Sequence, residues 1–210
     1  MDKIFIFDWD GTLVDTIELL KSAYNSVFEN FGMPLWSFEE ARQNIRKAAK
    51  FYFRDNFGEH AEKAMQIYYS YVEDNHLDHV RAYPGTELIL KNLHDKDVKM
   101  GVVSNKRHDF LVSEIRYMGW DHMFSGVVGA GYAGHDKPFP DPLLMCIELM
   151  DVESARENIY FVGDTKTDIE CASRADIKSI FVTYGMGTKN ENITYIPHKT
   201  IDTLKEIMYL

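Results

Sequence analysis

Five short, almost continuously apolar segments constrain the fold of this 210-residue chain more than any other feature. Runs of this kind are typical of parallel β-strands that are covered on both faces. The segments are KIFIFD (3–8), VKMGVVSN (98–105), FSGVVGA (124–130), NIYFVGD (158–164) and KSIFVTYG (178–185). Amphipathic helical patterns follow the second, third and fourth segments, at 108–119, 141–150 and 167–175. This alternation predicts an α/β fold with a doubly wound parallel sheet.

One long segment, residues 15–81, interrupts the alternation and contains no strand-like run. Its helical patterns are TIELLKSAYNSVFENFG (16–32) and FEEARQNIRKAAKFYFRDNFG (38–58). Asp15 followed by Glu18 resembles a capping box and predicts the start of the first helix. We therefore predict an α-helical domain of residues 15–81, inserted into an α/β core domain of residues 1–14 and 82–210.

Composition and charge exclude several classes of protein. The formal net charge is −10 and the sequence pI is about 5.2, which argues against a nucleic-acid surface. Cys146 and Cys171 lie in helical patterns without metal-ligand spacing and are interpreted as buried packing residues of a reducing compartment. No apolar run approaches the roughly 18 residues that a membrane span requires. These features predict a cytoplasmic protein that binds neither nucleic acid nor membrane. We also expect a monomer or weak dimer, although no sequence feature determines the oligomeric state.

Polar side chains gather where the predicted strands end. In doubly wound sheets, ligands bind beyond the carboxyl ends of the strands. The residues at such ends are Asp8, Asp10, Ser104, Asn105 and Asp164, and Lys137 follows the third strand. Two carboxylates about 4 Å apart repel by about 4 kcal/mol at an effective dielectric constant of about 20, so a cation is expected among them. Asp8, Asp10 and Asp164 therefore predict a Mg²⁺ site, and Lys137 adds positive charge for a phosphate.

Two other motifs are weaker. DWDGTLVDTIEL (8–19) superficially resembles a calcium-binding loop, but its glycine is the fourth residue instead of the sixth, and a strand precedes it. Gly129, Gly131 and Gly134 match the dinucleotide fingerprint G-x-G-x-x-G. That fingerprint must open a helix, whereas prolines follow at 138, 140 and 142. Both interpretations are set aside.

Four segments, taken in order, resemble the motifs of the haloacid dehalogenase-like hydrolases. They are DWDGT (8–12), VVSN (102–105), KPFPDP (137–142) and FVGDTKTD (161–168). The inserted helical segment resembles the cap domain of the phosphoglycolate phosphatase-like branch. The resemblance covers the whole chain and implies a Rossmann-like core with an α-helical cap.

The resemblance also implies roles for individual residues. Asp8 matches the nucleophile that forms an aspartyl-phosphate, and Asp10 matches the general acid and base. Ser104 and Lys137 match the groups that hold the phosphoryl oxygens, with Asn105 beside them as a substrate-binding residue. The presence of Asp10 favours phosphoryl transfer, because the dehalogenating relatives lack this acid as a rule.

The metal site implied by the resemblance includes further atoms. Asp164 matches a metal ligand, and Asp168 matches either a ligand or an acid that holds the ligands. Asp8 and the backbone carbonyl of Asp10 complete the protein's share of the metal sphere. One departure follows this motif, because Ala175-Asp176 stands where the family usually has Ala-Gly. Aspartate tolerates the left-handed backbone conformation less well than glycine does.

The function predicted from these motifs is a Mg²⁺-dependent phosphatase acting on a small, phosphoglycolate-like phosphomonoester. Two alternatives remain open: a phosphomutase of the same superfamily, and a non-catalytic phosphate-binding or regulatory protein. A mutase would show isomerisation without phosphate release, and a regulatory protein would be expected to lose one catalytic motif. None is lost here.

A basic stretch in the inserted segment suggests where specificity originates. In ARQNIRKAAKFYFRDNF (41–57), Arg46, Lys50 and Arg54 recur at four-residue steps, as on one helix face, with Lys47 beside them. A solvated basic face is the simpler interpretation. Our hypothesis is that at least one of Arg46, Lys47 and Lys50 contacts the non-phosphate end of the substrate.

Overall fold

A six-stranded, fully parallel sheet forms the centre of the protein in this computed structural model, which describes residues 3–45, 48–187 and 195–210. Its strands are β1 (Ile4–Phe7), β4 (Met100–Arg107), β5 (Gly126–Ala130), β6 (Ile159–Gly163), β7 (Lys178–Val182) and β8 (Lys199–Ile201). A separate antiparallel pair comprises β2 (Val14–Asp15) and β3 (Arg81–Ala82). The order across the large sheet is β5-β4-β1-β6-β7-β8. The predicted doubly wound fold is confirmed.

Helices cover both faces of this sheet because the strands are apolar on both sides. They are α5 (Thr86–His94), α6 (His108–Tyr117), α7 (Asp141–Leu149) and α8 (Lys166–Arg174). In β1, Phe5 and Phe7 pack toward α5 and α6, whereas Ile4 and Ile6 pack toward α7 and α8. Short 3₁₀ helices lie at Asp121–Met123, Glu153–Asn158 and Leu204–Tyr209. The continuous apolar runs of the sequence thus reflect two core layers.

Four further helices lie between β2 and β3, and we call them the cap. They are α1 (Ile17–Asn30), α2 (Phe38–Asn44), α3 (Ala49–Phe57) and α4 (Ala61–His79), with a 3₁₀ turn at Gly58–His60. The cap has its own aromatic core, in which the ring of Tyr24 lies 5.2 Å from the rings of both Phe53 and Tyr68. The domain boundaries at residues 15 and 81 stay a prediction.

The structure corrects the predicted basic stripe of the cap. The helical pattern 38–58 divides into α2 and α3, and both Ile45 (φ −80°, ψ 85°) and Ala48 (φ −51°, ψ 137°) have non-helical backbones. The prediction of one continuous helix over residues 38–58 is therefore wrong. The four-residue spacing indicated a helix, but local spacing cannot register a break that depends on packing against other elements.

Helix and strand ends also differ from expectation in two places. The N-cap of α1 is Thr16 and it makes no side-chain cap, while Asp15 accepts a hydrogen bond from the backbone of Ile17 at 3.3 Å. Strand β8 was not predicted, because its three residues mix polar and apolar side chains. Asp176 follows α8 with φ +56°, the left-handed conformation in which the family pattern has glycine.

Two composition-based expectations bear on the described residues. Cys146 and Cys171 are both free and buried, as predicted. Across the three described ranges, no helix combines the length and apolarity needed to cross a bilayer.

Candidate active site

The order of the strands creates the site. Strand β1 lies between β4 and β6, and the direction of winding reverses here, so the carboxyl ends of these strands border a crevice. Asp8 follows β1, Ser104 lies in β4, and Asp164 follows β6. Three segments that are distant in sequence therefore meet at one edge of the sheet, as the sequence predicted.

Lys137 joins two of the acidic residues. Its Nζ lies 2.7 Å from Asp8 Oδ1 and 2.7 Å from Asp168 Oδ1, and it also donates to the carbonyl of Val103 at 3.2 Å. Burial alone would lower the pKa of the Lys137 ammonium, but the Asp168 and Asp8 carboxylates raise it well above its usual range. Lys137 is therefore a permanent positive charge at this centre.

Asp164 is held from the opposite side of the centre. Its Oδ1 accepts from the hydroxyl of Thr12 at 3.2 Å, and its Oδ2 accepts from the backbone of Met186 at 2.7 Å. Residue 11 must be glycine for the loop to lie this close to Asp164. A Cβ at residue 11 would lie 2.4 Å from Asp164 Oδ2, and φ there is +84°. The glycine of the DWDGT motif thus lets the loop after β1 approach Asp164.

Asp8, Asp164 and Asp168 form a buried acidic triad in which one oxygen of each lies within 4.8 Å of the others. Burial, and then repulsion from Asp168, raise the pKa of Asp164 to about 7. The same two causes raise the pKa of Asp8, although Lys137 opposes them. One lysine does not neutralise three carboxylates, and an all-oxygen donor set suits a hard divalent cation. The residues therefore fit the metal site that the sequence predicted.

The carboxylate of Asp10 lies apart from this triad and has its own partners. Its Oδ1 accepts from the hydroxyl of Thr16 at 2.6 Å and from Nζ of Lys106 at 2.8 Å. These two donors hold that oxygen in this structure, so the Asp10 carboxylate lies outside the triad, and its predicted role as a metal ligand stays a prediction. The expectation for the backbone carbonyl of Asp10 is a separate one and stays a prediction.

Glu114 on α6 is the centre of a fully buried polar network. Both of its oxygens accept from Lys106 Nζ at 2.7 Å, and Oε2 also accepts from the indole Nε1 of Trp9 at 2.6 Å. His76 on α4 of the cap lies with Nδ1 3.0 Å from Glu114 Oε1. Burial would raise the pKa of Glu114, but Lys106, His76 and Trp9 together lower it. The network thus connects the cap to Asp10 through Glu114 and Lys106.

Sequence reasoning missed this network, although a signal was present. Glu114 lies three and four residues from Leu111 and Phe110 on the apolar face of α6, and His76 continues the buried face of Tyr68 and Val72 on α4. A charged or titratable residue on an apolar helix face needs a buried partner. The sequence alone could not identify that partner as Lys106.

The remaining predicted residues of the core reach the same edge. Ser104 is buried, and its Oγ accepts from the backbone of Lys106 at 3.1 Å. Asn105 donates from Nδ2 to the carbonyl of Lys137 at 3.0 Å, which joins the second and third motifs. Ser104, Asn105 and Lys137 all border the cleft between the sheet edge and the cap.

Among the cap residues predicted to bind substrate, only Lys50 lies within the described residues. Lys50 forms an ion pair with Asp136, the residue before Lys137, and does not border the cleft. Arg42 donates to the carbonyl of Gly185 at 3.0 Å, which is a further contact between cap and core. Arg46 and Lys47 lie outside the described residues, so their predicted contacts stay predictions.

The fold and the site together define a capped α/β enzyme whose reactive centre combines buried aspartates with two buried lysines. The sequence profile of the haloacid dehalogenase-like hydrolases matches residues 5–182. The chain therefore belongs to that family and is a hydrolase, which confirms the resemblance of its four motifs.

Individual relatives resemble the chain over nearly its whole length. A protein of Pseudomonas aeruginosa named phosphoglycolate phosphatase 1 is 28% identical, covering 99% of this chain and 79% of that protein. The pyrophosphatase PpaX of Listeria monocytogenes is 25% identical, covering 97% of this chain and 93% of its own. A haloacid dehalogenase-like family hydrolase from Streptococcus pneumoniae superposes with a TM-score of 0.88 at 21% identity, covering 99% of this chain and 97% of that structure. Because its sequence identity is only 21%, this structural similarity shows a shared fold and no more.

Proposed function

We propose that this protein is a Mg²⁺-dependent phosphatase that hydrolyses a small phosphomonoester through an aspartyl-phosphate on Asp8. The observation that carries the proposal is the contact of Lys137 with Asp8 beside the buried carboxylates of Asp164 and Asp168. This arrangement supports assigning Asp8 as the nucleophile, Lys137 as the cation beside it, and the neighbouring carboxylates as the metal site. The names of the relatives, which are phosphatases and pyrophosphatases, support the same chemistry.

In the first step, a carboxylate oxygen of Asp8 attacks phosphorus and the bond to the ester oxygen breaks. Lys137 lies against Asp8 and attracts the phosphoryl oxygens, with Ser104 beside it. Asp8, Asp164 and the backbone carbonyl of Asp10 would hold the metal ion, which supplies positive charge for the phosphoryl group. The phosphoryl group is then bound to Asp8.

Asp10 moves the protons of the reaction. In the first step its carboxylic acid protonates the leaving alkoxide, and in the second step its carboxylate takes a proton from the attacking water. That water breaks the bond between phosphorus and Asp8, which releases inorganic phosphate and restores the carboxylate. Thr16 and Lys106 fix the orientation of Asp10 for both transfers.

A phosphate-release screen tests this proposal. The purified protein is incubated with a panel of small phosphomonoesters, with MgCl₂ and with a chelator, and isomerisation products are measured in parallel. The proposal requires phosphate release that depends on the metal. Isomerisation without release would indicate a mutase, and no turnover on any substrate would indicate a phosphate-binding protein.

The proposal includes a cytoplasmic location, which the free cysteines support.

Substitutions of Asp164 and Asp168 are expected to reduce the Mg²⁺-supported activity to different extents. Asp164→Asn should lower the Mg²⁺-supported rate by at least about a hundredfold and raise the Mg²⁺ concentration needed for half activity. Asp168→Asn should lower the rate less. Both Asp168 oxygens already accept hydrogen bonds, from Lys137 and from the backbone of Thr165, so this carboxylate is less available to the metal than that of Asp164. A magnesium titration of kcat for both variants measures the difference. Activity that survives a chelator in the wild-type protein would contradict this assignment.

The stability of the metal-free protein is expected to fall as the pH rises from about 4 to about 7. Burial and Asp168 raise the pKa of Asp164 to about 7 from 3.8, so in this range the folded state binds a proton that the unfolded state releases. A bound cation replaces that proton, so the increase in Tm on adding MgCl₂ should be larger at about pH 8 than at about pH 5. Thermal unfolding at both pH values measures it. In Asp164→Asn the dependence should become smaller, and the raised pKa of Asp8 should account for what remains.

A further inference from the structure

Three tyrosines of the cap border the cleft, and two of them, Tyr24 and Tyr68, are buried. Tyr24 on α1 and Tyr68 on α4 are only 2% and 7% exposed, yet both contribute to the cleft wall. Within residues 3–45, 48–187 and 195–210, neither hydroxyl has a hydrogen-bond partner, although both rings contact other aromatic rings. Burial raises the pKa of both phenols, so each hydroxyl remains a neutral donor. Neither hydroxyl is sealed in the core, and both residues border the cleft, so a ligand there would supply the acceptor that tyrosine hydroxyls normally find.

Asn105 adds an unused acceptor on the opposite wall. Its Nδ2 donates to the carbonyl of Lys137, while its Oδ1 is buried and has no partner among the described residues. A fully ionised phosphate offers no proton to this oxygen. A hydroxyl group on the leaving group would offer one.

The described cations that border the cleft are already paired. Lys137 bonds Asp8 and Asp168, and Lys106 bonds Asp10 and Glu114. Arg107 forms a two-bond ion pair with Asp109, at 2.7 Å and 2.6 Å, and its guanidinium lies 3.8 Å from the ring centroid of Phe110. A second anionic group on the substrate would thus compete with carboxylates for each of these cations, while an uncharged group would not.

We propose that this site prefers monophosphates whose leaving group is uncharged and carries hydroxyl groups, as in sugar phosphates and nucleoside monophosphates. The inference rests on the proposed phosphatase function and specifies its substrate class. The hydroxyls of Tyr24 and Tyr68 donate to the leaving group, and Asn105 accepts from it. The remaining wall, which includes Leu20 and Val72, packs against its apolar faces. Phosphoglycolate and pyrophosphate, whose leaving groups are anionic, are disfavoured.

The test compares five substrates under one condition. Glucose 6-phosphate and adenosine 5′-monophosphate carry uncharged leaving groups, and phosphoglycolate and pyrophosphate carry anionic ones. Acetyl phosphate is the smallest probe of the phosphoryl centre alone. We expect kcat/KM for one of the first two to exceed that for both anionic substrates by at least about tenfold. Which of the two is better distinguishes a sugar phosphate from a nucleotide.

Single hydroxyl deletions identify the residues responsible. Tyr24→Phe and Tyr68→Phe keep the buried rings and should each lower kcat/KM for the preferred substrate by about three- to tenfold, with a smaller loss on acetyl phosphate. Tyr52→Phe is the matched control, because Tyr52 packs 5.1 Å from the ring of Tyr24 without bordering the cleft. It should change neither value. Unfolding curves of the three variants show whether each protein is folded.

Several results would overturn the inference. A higher kcat/KM for phosphoglycolate or pyrophosphate would do so, as would equal losses on both substrates in the tyrosine variants. If Arg46→Ala or Lys47→Ala alone removed the preference, a cationic contact would replace the tyrosines as its source. Hydrolysis of acetyl phosphate without any preference would refute this inference alone. No hydrolysis of any substrate would refute the proposed function as well.

Discussion

Asp8→Asn is expected to abolish turnover, with kcat falling by at least about a thousandfold, because an amide oxygen is a poor nucleophile toward phosphorus. The substitution is nearly isosteric, and it removes a carboxylate whose pKa burial and Asp168 already raise. The fold should therefore survive, which thermal unfolding would verify. Steady-state phosphate release on the best substrate of the screen measures the loss. Turnover close to that of the wild-type protein would end the mechanism proposed here.

Asp10→Asn should behave differently, because the nucleophile remains while the acid and base is lost. We expect slow transfer of the phosphoryl group to Asp8 and still slower hydrolysis of the aspartyl-phosphate. Mass spectrometry of acid-quenched protein would detect the phosphorylated form in this variant and not in Asp8→Asn. Asp121→Asn, at an exposed aspartate of the core, serves as the matched control. An unphosphorylated Asp10→Asn variant that still turns over would exclude the assigned role.

Glu114→Leu is expected to cause the largest loss of stability, about 3–5 kcal/mol in the free energy of unfolding. The substitution leaves the buried ammonium of Lys106 with Asp10 alone and removes the acceptor of the Trp9 indole. Urea unfolding measures the loss. A decrease below about 1 kcal/mol would contradict a stabilising role for this buried hydrogen-bonded network.

A second substitution separates stability from catalysis. Lys106→Met in the Glu114→Leu background removes both charges, and such replacements are often close to neutral for stability. We expect the double variant to be more stable than the sum of the single changes predicts. Its activity should nonetheless stay low, because Asp10 loses a hydrogen bond of 2.8 Å. Recovery of stability and activity together would mean that Lys106 does not orient Asp10.

The parts of the fold that the sequence predicts well are those fixed by local pattern. The run Ile4–Phe7 is apolar at every position, which leaves a doubly covered strand as its natural structure. Because parallel strands share a carboxyl edge, that pattern also brings Asp8 and Asp164 together. The approach of Asp8 to Asp164 therefore follows from the adjacency of β1 and β6, whereas Asp168 belongs to α8 and Lys137 to the loop after β5.

The features that escaped prediction depend on contacts between distant segments. Glu114, Lys106 and His76 each have an ordinary local interpretation, and only packing brings them within hydrogen-bond distance. Likewise, the pairing of Lys50 with Asp136 could not be read from a basic helical stripe. Tertiary structure determines which charged side chains form pairs, and the spacing of residues along one helix does not predict their partners.

The insertion of the cap directly after β1 also determines when the sheet can form during synthesis. Phe5 pairs in register with Met100 on one side and with Tyr160 on the other. Strand β1 therefore gains its first neighbour only when β4 has been made, whereas α1 and α4 can pack as soon as residue 79 is made. The Asp8 carboxylate, the proposed nucleophile, is thus made before the whole cap and reaches its final surroundings only after the cap helices have been synthesised.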